Sequence, residues 1–203
     1  MITLFIDTSF SDVSIALLKN NKIVSKKIEN IPNEHSKYAI LYIEEVIKKA
    51  NVEANQVNNI MVVNGPGSFT GIRIGLTIAK IYAYLLNISV TLVSSLKALA
   101  LSCDDQLTLA LIDAKNDNYY LALYDEDYNE LIKEHFSNIE EVNQICKDYK
   151  NVKIVTNSNI NNYLKIQNLN IEKIVKYYQN NEKVNAHQVL PNYLKLPQAL
   201  EKK

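Results

Sequence analysis

Apolar residues recur along this chain in two rhythms. Early on they alternate with polar residues or run in short blocks, as in Ile2-Thr3-Leu4-Phe5-Ile6, Val13-Ser14-Ile15-Ala16-Leu17-Leu18 and Ile23-Val24. Blocks of this length between polar turns predict β-strands over 2–8, 13–19 and 22–29. Asn20-Asn21 joins the last two, and asparagine tolerates the left-handed backbone of a hairpin turn. From position 36 the rhythm becomes helical. Ala39, Ile43, Val46, Ile47 and Ala50 share one face of a helix predicted over 36–50, and Ile60-Met61-Val62-Val63 follows as a buried strand. A long helix over 70–87, a strand over 89–93 and a short helix over 95–103 complete the first half.

Past the polar junction Asp104-Asp105-Gln106 the opening plan returns. Strands over 108–115 and 119–124 match the first two at a constant offset of 106, placing Ile6-Asp7 on Ile112-Asp113 and Ala16-Leu17 on Ala122-Leu123. A strand over 130–136, a helix over 138–149, a strand over 152–155, a helix over 159–165, a strand over 171–175 and an irregular tail over 186–200 follow. A meander and then alternating helix and strand, given twice, predicts an α/β chain of two ribonuclease-H-like lobes, 1–104 and 105–203, related by internal duplication. That is the architecture of the actin-like ATPase (ASKHA) fold, a statement about fold alone.

Composition sharpens this at one place. All four glycines of the 203 residues and the only arginine lie in Asn64-Gly65-Pro66-Gly67-Ser68-Phe69-Thr70-Gly71-Ile72-Arg73-Ile74-Gly75. The stretch is a tight strand-to-helix turn in which Ser68 or Thr70 can cap the helix. Down that helix Gly71, Gly75, Ala79 and Ala83 recur every fourth residue as a ridge of minimal height, open to close approach by another helix. Ile74, Ile78, Tyr82 and Leu85 form a larger stripe beside it, so two faces are apolar, as in a helix deep in a core or shared with a partner. The alternative for the ridge is packing against the chain's own first helix or sheet.

Other features exclude more than they assign. Twenty-two basic and 22 acidic residues balance, and scattered lysine pairs such as Lys26-Lys27, Lys48-Lys49 and Lys202-Lys203 lack the concentrated footprint of a nucleic-acid ligand. Cys103 and Cys146 read as buried thiols of a reducing cytosol. No apolar run reaches the ~18 residues of a membrane span. The glycine stretch fails the dinucleotide fingerprint at Thr70, the P-loop for want of a lysine in place, and the nucleophile elbow at Pro66 and Thr70. Asp7-Thr8-Ser9 and Asp113-Ala114-Lys115 stand where an actin-like ATPase grips phosphate, but neither turn has the glycine that lets phosphate reach main-chain N–H groups. His35, His135 and His187 are far apart and read as surface or packing histidines. Arg73 sits where the helix dipole mildly disfavours a cation, which favours a fork aimed at a partner's carboxylate or carbonyl.

Gly65-Pro-Gly-Ser-Phe-Thr-Gly-Ile-Arg-Ile-Gly75, with Ile6-Asp7-Thr8-Ser9, His35-Ser36, Asp113-Ala114 and Pro191-Asn-Tyr193-Leu194, closely resembles the TsaB family of bacterial threonylcarbamoyladenosine biosynthesis proteins. The resemblance implies a cytoplasmic, non-catalytic member of the actin-like fold, without cofactor or metal of its own. Such a chain pairs with a TsaD-like catalytic subunit and a TsaE-like ATPase to modify tRNA, and forms a homodimer when alone. The catalytic relative carries an H-x-x-x-H metal motif; here the first histidine is His35 and the second position is Ala39. The resemblance further implies that the two long helices meet their equivalents on the partner. This gives Gly65, Pro66, Gly67, Ser68, Phe69, Thr70, Gly71, Arg73, Gly75, Ala79, Ala83, Ala39 and Ile43 as partner-binding residues, and Asp7, Thr8, Ser9 and Asp113 as degenerate nucleotide-site positions. Gly75→Leu is then expected to disrupt association while sparing the fold. A stand-alone ATP-dependent enzyme such as a small kinase, a peptidase, or an interaction module unrelated to tRNA are the competing readings.

Overall fold

The computed structural model describes residues 1–104, 106–161 and 163–195. They form two compact units, Met1–Ser94 with Ile171–Asn192, and Ser95–Asn170 with the residues from Tyr193 onward. In the first unit β1 (Ile2–Asp7), β2 (Asp12–Lys19) and β3 (Lys22–Asn30) make an antiparallel meander. β4 (Asn59–Gly65) and β5 (Val90–Ser94) then extend the sheet in parallel, in the order β3-β2-β1-β4-β5. Between them run α1 (His35–Lys49) and α2 (Phe69–Leu86). Both cover one sheet face, closing a core that includes Leu4, Ile6, Ile15, Leu17, Ile43 and Val62.

The second unit begins with α3 (Ser95–Leu101) and repeats the plan. β6 (Thr108–Asp113), β7 (Asn118–Tyr124) and β8 (Glu130–Asn138) form the meander, α4 (Ile139–Asp148) follows, and β9 (Lys153–Thr156) and β10 (Leu164–Lys165) add in parallel. The order β10-β9-β6-β7-β8 is that of the first sheet. Two copies of one strand order, each an antiparallel meander extended by parallel strands, define the duplicated actin-like fold. The constant offset of 106 fails by one residue in the ladder. Leu4 pairs with Leu17, whereas Ala110 pairs with Ala122, because the first ladder closes at Asp7 with Ser14 and the second one residue tighter, at Asp113 with Tyr119.

Two predicted elements differ in kind. Residues 171–175 form not a strand but the start of α5 (Ile171–Tyr178). Its buried Ile171, Ile174, Val175 and Tyr178 follow the i, i+3, i+4, i+7 period, which outweighs the β-branched content. The helix predicted over 159–165 is replaced by the two-residue β10; position 162 lies outside the described residues, as do Asp105, residues 196–200 of the predicted tail and the Lys202-Lys203 pair.

The two units also divide differently from 1–104 and 105–203. α3 belongs to the second, and 171–192 returns to the first, where backbone bonds hold it. Val184 and Val90 exchange N–H···O bonds of 2.8 and 2.9 Å beside β5, and Asn192 N–H donates to the Asn64 carbonyl at 2.8 Å. At the opposite sheet edge the Glu172 carboxylate accepts from Ile23 N–H at 2.9 Å and Lys22 Nζ at 3.0 Å.

Candidate functional site

The Gly-rich stretch leads from β4 into α2, and its glycines serve the chain's own first turn. Gly65 has φ of 112°, a region glycine alone enters at no steric cost. A Cβ on Gly67 would stand 2.5 Å from the Ser9 carbonyl oxygen, and one on Gly71 would overlap the Thr8 carbonyl oxygen. The loop is pressed onto residues 8 and 9. Ser68 N–H donates to the Ser9 carbonyl at 2.8 Å, and Thr8 Oγ1 donates to the Gly71 carbonyl at 2.7 Å. Ser68 also caps α2, its hydroxyl accepting from Gly71 N–H at 3.2 Å.

The small ridge therefore faces inward. Gly71, Gly75, Ala79 and Ala83 are all buried, and a Cβ on Gly75 would lie 2.5 Å from Thr8 Oγ1, with Ile6 and Val62 next nearest. This corrects the expectation that a partner's helix packs on the ridge. Its small residues do permit a close approach, but to the turn after β1 and to strands β1 and β4. Ala39 and Ile43 are core residues at 0% exposure, and Gly65 and Pro66 are buried as well. Gly75→Leu is thus expected to unfold the chain, not merely to weaken association.

Of the residues assigned to a partner, Ser68, Phe69, Thr70 and Arg73 remain exposed and Gly67 is half-buried. Two residues of helix turn through about 200°, so positions offset by two from the ridge lie on the opposite face. That face carries Phe69, Arg73, Thr77, Ile81 and Leu85, again every fourth residue, with Tyr84 alongside. Leu85 is 73%, Tyr84 68% and Ile81 52% exposed, and α1 adds Ile40 at 52% and Leu41 at 49%. Among the described residues α2 alone is long and apolar enough, by length and composition, to cross a membrane, yet only 39% of it is buried. An apolar groove of about 470 Å³ is lined by Ser36 and Ile40 of α1 and by Phe69, Arg73, Ile74 and Ile81 of α2. Within it the Arg73 guanidinium carbon lies 3.9 Å from the Phe69 ring centroid, a cation–π stack that gives the cation a partly apolar setting. A second hollow of about 330 Å³ on the far side of Ile81 is bounded by Lys80, Tyr84, Leu85, Ala186 and His187. Sequence reasoning missed Ile40, Leu41, Ile81 and Tyr84. The four-residue repeat starting at Phe69 was a signal for Ile81 alone.

The two aspartate turns are closed by their own chain. Asp7 is 3% exposed, and its Oδ1 accepts from Ser9 N–H at 2.8 Å and Ser9 Oγ at 2.6 Å. Burial pushes its carboxyl above the usual range, against the pull of those bonds. Asp113 is more open. Burial raises it, but Lys115 N–H at 2.8 Å and Lys115 Nζ at 2.9 Å hold it below the ordinary value on balance. In both turns a main-chain N–H that could meet a phosphate already meets an aspartate, and the Gly-rich loop covers the first. The residues present do not fit the nucleotide grip that the fold implies. Nor do they fit a two-histidine metal site at α1. The carbonyl of Phe10 can only accept, so His35 Nε2 donates to it, at 2.8 Å, and Ala39 is sealed in the core.

With the fold and this face in view, the chain is a two-lobed protein of the actin-like ATPase fold. YeaZ from Pseudomonas aeruginosa has the same fold, with a TM-score of 0.81 at 24% identity, over 95% of this chain and 99% of that one. The family model described as "TsaD: tRNA N6-adenosine threonylcarbamoyltransferase" matches residues 22–199. The chain belongs to that family, in its TsaB/YeaZ branch. It is 35% identical over 126 residues to the tRNA threonylcarbamoyladenosine biosynthesis protein TsaB of Bacillus subtilis, covering 61% of this chain and 55% of that protein. To its Escherichia coli counterpart it is 32% identical over 130 residues, covering 62% and 56%. The chain thus matches little more than half the length of these two relatives.

Proposed function

We propose that this chain takes part in tRNA threonylcarbamoyladenosine biosynthesis in the cytoplasm, as a non-catalytic subunit that binds and supports a TsaD-type catalytic relative, with a TsaE-type ATPase in the same assembly. The observation that carries this reading is the large apolar face of α1 and α2, from Ile40 and Phe69 to Leu85, left exposed on a well-packed lobe. Contiguous exposed apolar surface of this kind marks an interaction site. Two helices side by side present it as a ridge and grooves suited to helices of a related protein. His35 and Ala39, and the closed aspartate turns, argue that the transfer itself is done elsewhere. The chain alone is expected to use the same face for a homodimer, since a two-fold contact requires only a self-complementary patch.

Reconstitution of the tRNA modification from purified components, with and without this chain, tests the reading. Modification that depends on the chain, and that fails with a folded outward-face variant, supports it. Full modification without the chain, or transfer by the chain alone, overturns it.

A further inference from the structure

In the second unit a histidine, a glutamate and a serine form a polar cluster between β8 and α4. His135 on edge strand β8 places Nδ1 2.8 Å from the Lys133 carbonyl and Nε2 2.9 Å from Glu141 Oε1 in the first turn of α4. A carbonyl oxygen accepts only, and so does a carboxylate, whereas a neutral imidazole has a single N–H. Both bonds form together only when the ring carries two protons. The Ser137 hydroxyl donates to the other carboxylate oxygen, Oε2, and Glu141 N–H donates to the Asn138 side chain at 3.1 Å, capping α4. Glu141 is therefore engaged as an ionised acceptor at a helix N-terminus, where negative charge is favoured.

We infer that His135 and Glu141 form a pH-gated clasp that fastens the first turn of α4 to edge strand β8, closed by the imidazolium and released when either partner loses its charge. α4 supplies Glu141, the opposite position on β7 is the uncharged Leu121, and on β8 itself Glu134 accepts from Tyr124 OH instead. The Ser137 hydroxyl first, and then His135, hold the Glu141 carboxyl below its usual range against the effect of burial. The carboxylate's share of the stabilisation is thus lost as pH falls through that lowered value. The ring's share is lost when the imidazolium gives up a proton, because one of the two acceptors then has no N–H to meet. The clasp therefore needs both charges at once.

Both partners are partly solvated, with side-chain exposures of 37% and 44%, so the effect is local and modest. The test uses the full chain, with 15N shifts of the His135 ring and amide exchange in the first turn of α4, corrected for intrinsic rates. Where the 15N shifts show both ring nitrogens protonated, opening of that turn is expected to be on the order of fivefold rarer than where they show a neutral ring. His135→Gln and Glu141→Gln should each flatten this pH profile while the chain stays folded. Turn opening that does not follow the protonation of the ring in the wild type, or an unchanged profile in both variants, would overturn the clasp.

Discussion

The inward and outward faces of α2 are both apolar and both repeat every fourth residue, yet they differ in side-chain size. Inward, Gly71, Gly75, Ala79 and Ala83 leave no room between helix and sheet; outward, Phe69, Ile81 and Leu85 stand proud of the surface. Size separates two tasks. A row of missing side chains lets a helix settle on its own sheet and on the carbonyls of residues 8 and 9, whereas a row of large ones leaves apolar area for something else to cover. If so, the two rows should fail in different ways when altered.

The largest effect is expected from Gly71→Val, whose Cβ would overlap the Thr8 carbonyl oxygen. Overpacking against backbone should cost about 3 kcal/mol or more, seen as loss of the cooperative thermal transition. Ile40→Glu, on the outward side, should leave the melting temperature within a few degrees of the wild type. It should weaken binding of the TsaD-type subunit by about 2 kcal/mol, roughly 30-fold, measured by calorimetry. Thr8→Val removes the 2.7 Å bond to the Gly71 carbonyl without changing shape. It should lower stability by about 1 kcal/mol in urea denaturation, sharpening the claim that this contact belongs to folding. The smallest effect is that of Asp7→Asn. Burial raises the Asp7 carboxyl above its ordinary value, so its favourable share of stability is present below about pH 4 and is lost as pH rises through the raised value. The asparagine variant should therefore gain on the wild type as pH rises from 4, then run parallel to it; parallel curves from pH 4 upward would remove Asp7 from the account.

How far the sequence could be read follows the range of the interactions. Local periodicity placed the two long helices within one residue, 36–50 against His35–Lys49 and 70–87 against Phe69–Leu86; of the two caps expected, Ser68 or Thr70, the structure uses Ser68. It also exposed the repeated meander. The direction of the glycine ridge was not legible, because a spacing of four tells which residues share a face but not what stands opposite. The answer, Thr8, lies 63 residues earlier. For the same reason the return of 171–192 to the first lobe escaped notice, resting as it does on backbone bonds such as Val184 with Val90. Residues 171–175 misled differently, since Ile171, Ile174 and Val175 suit a strand by type and a helix by period.

The most direct measurement is titration calorimetry of the TsaD-type subunit against the wild-type chain and the double variant Ile81→Asp, Leu85→Asp, with thermal melts of both. The variant is expected to bind at least roughly 30-fold more weakly with an unchanged melt. Wild-type affinity with two aspartates on the outward face of α2 would rule that face out as the docking surface.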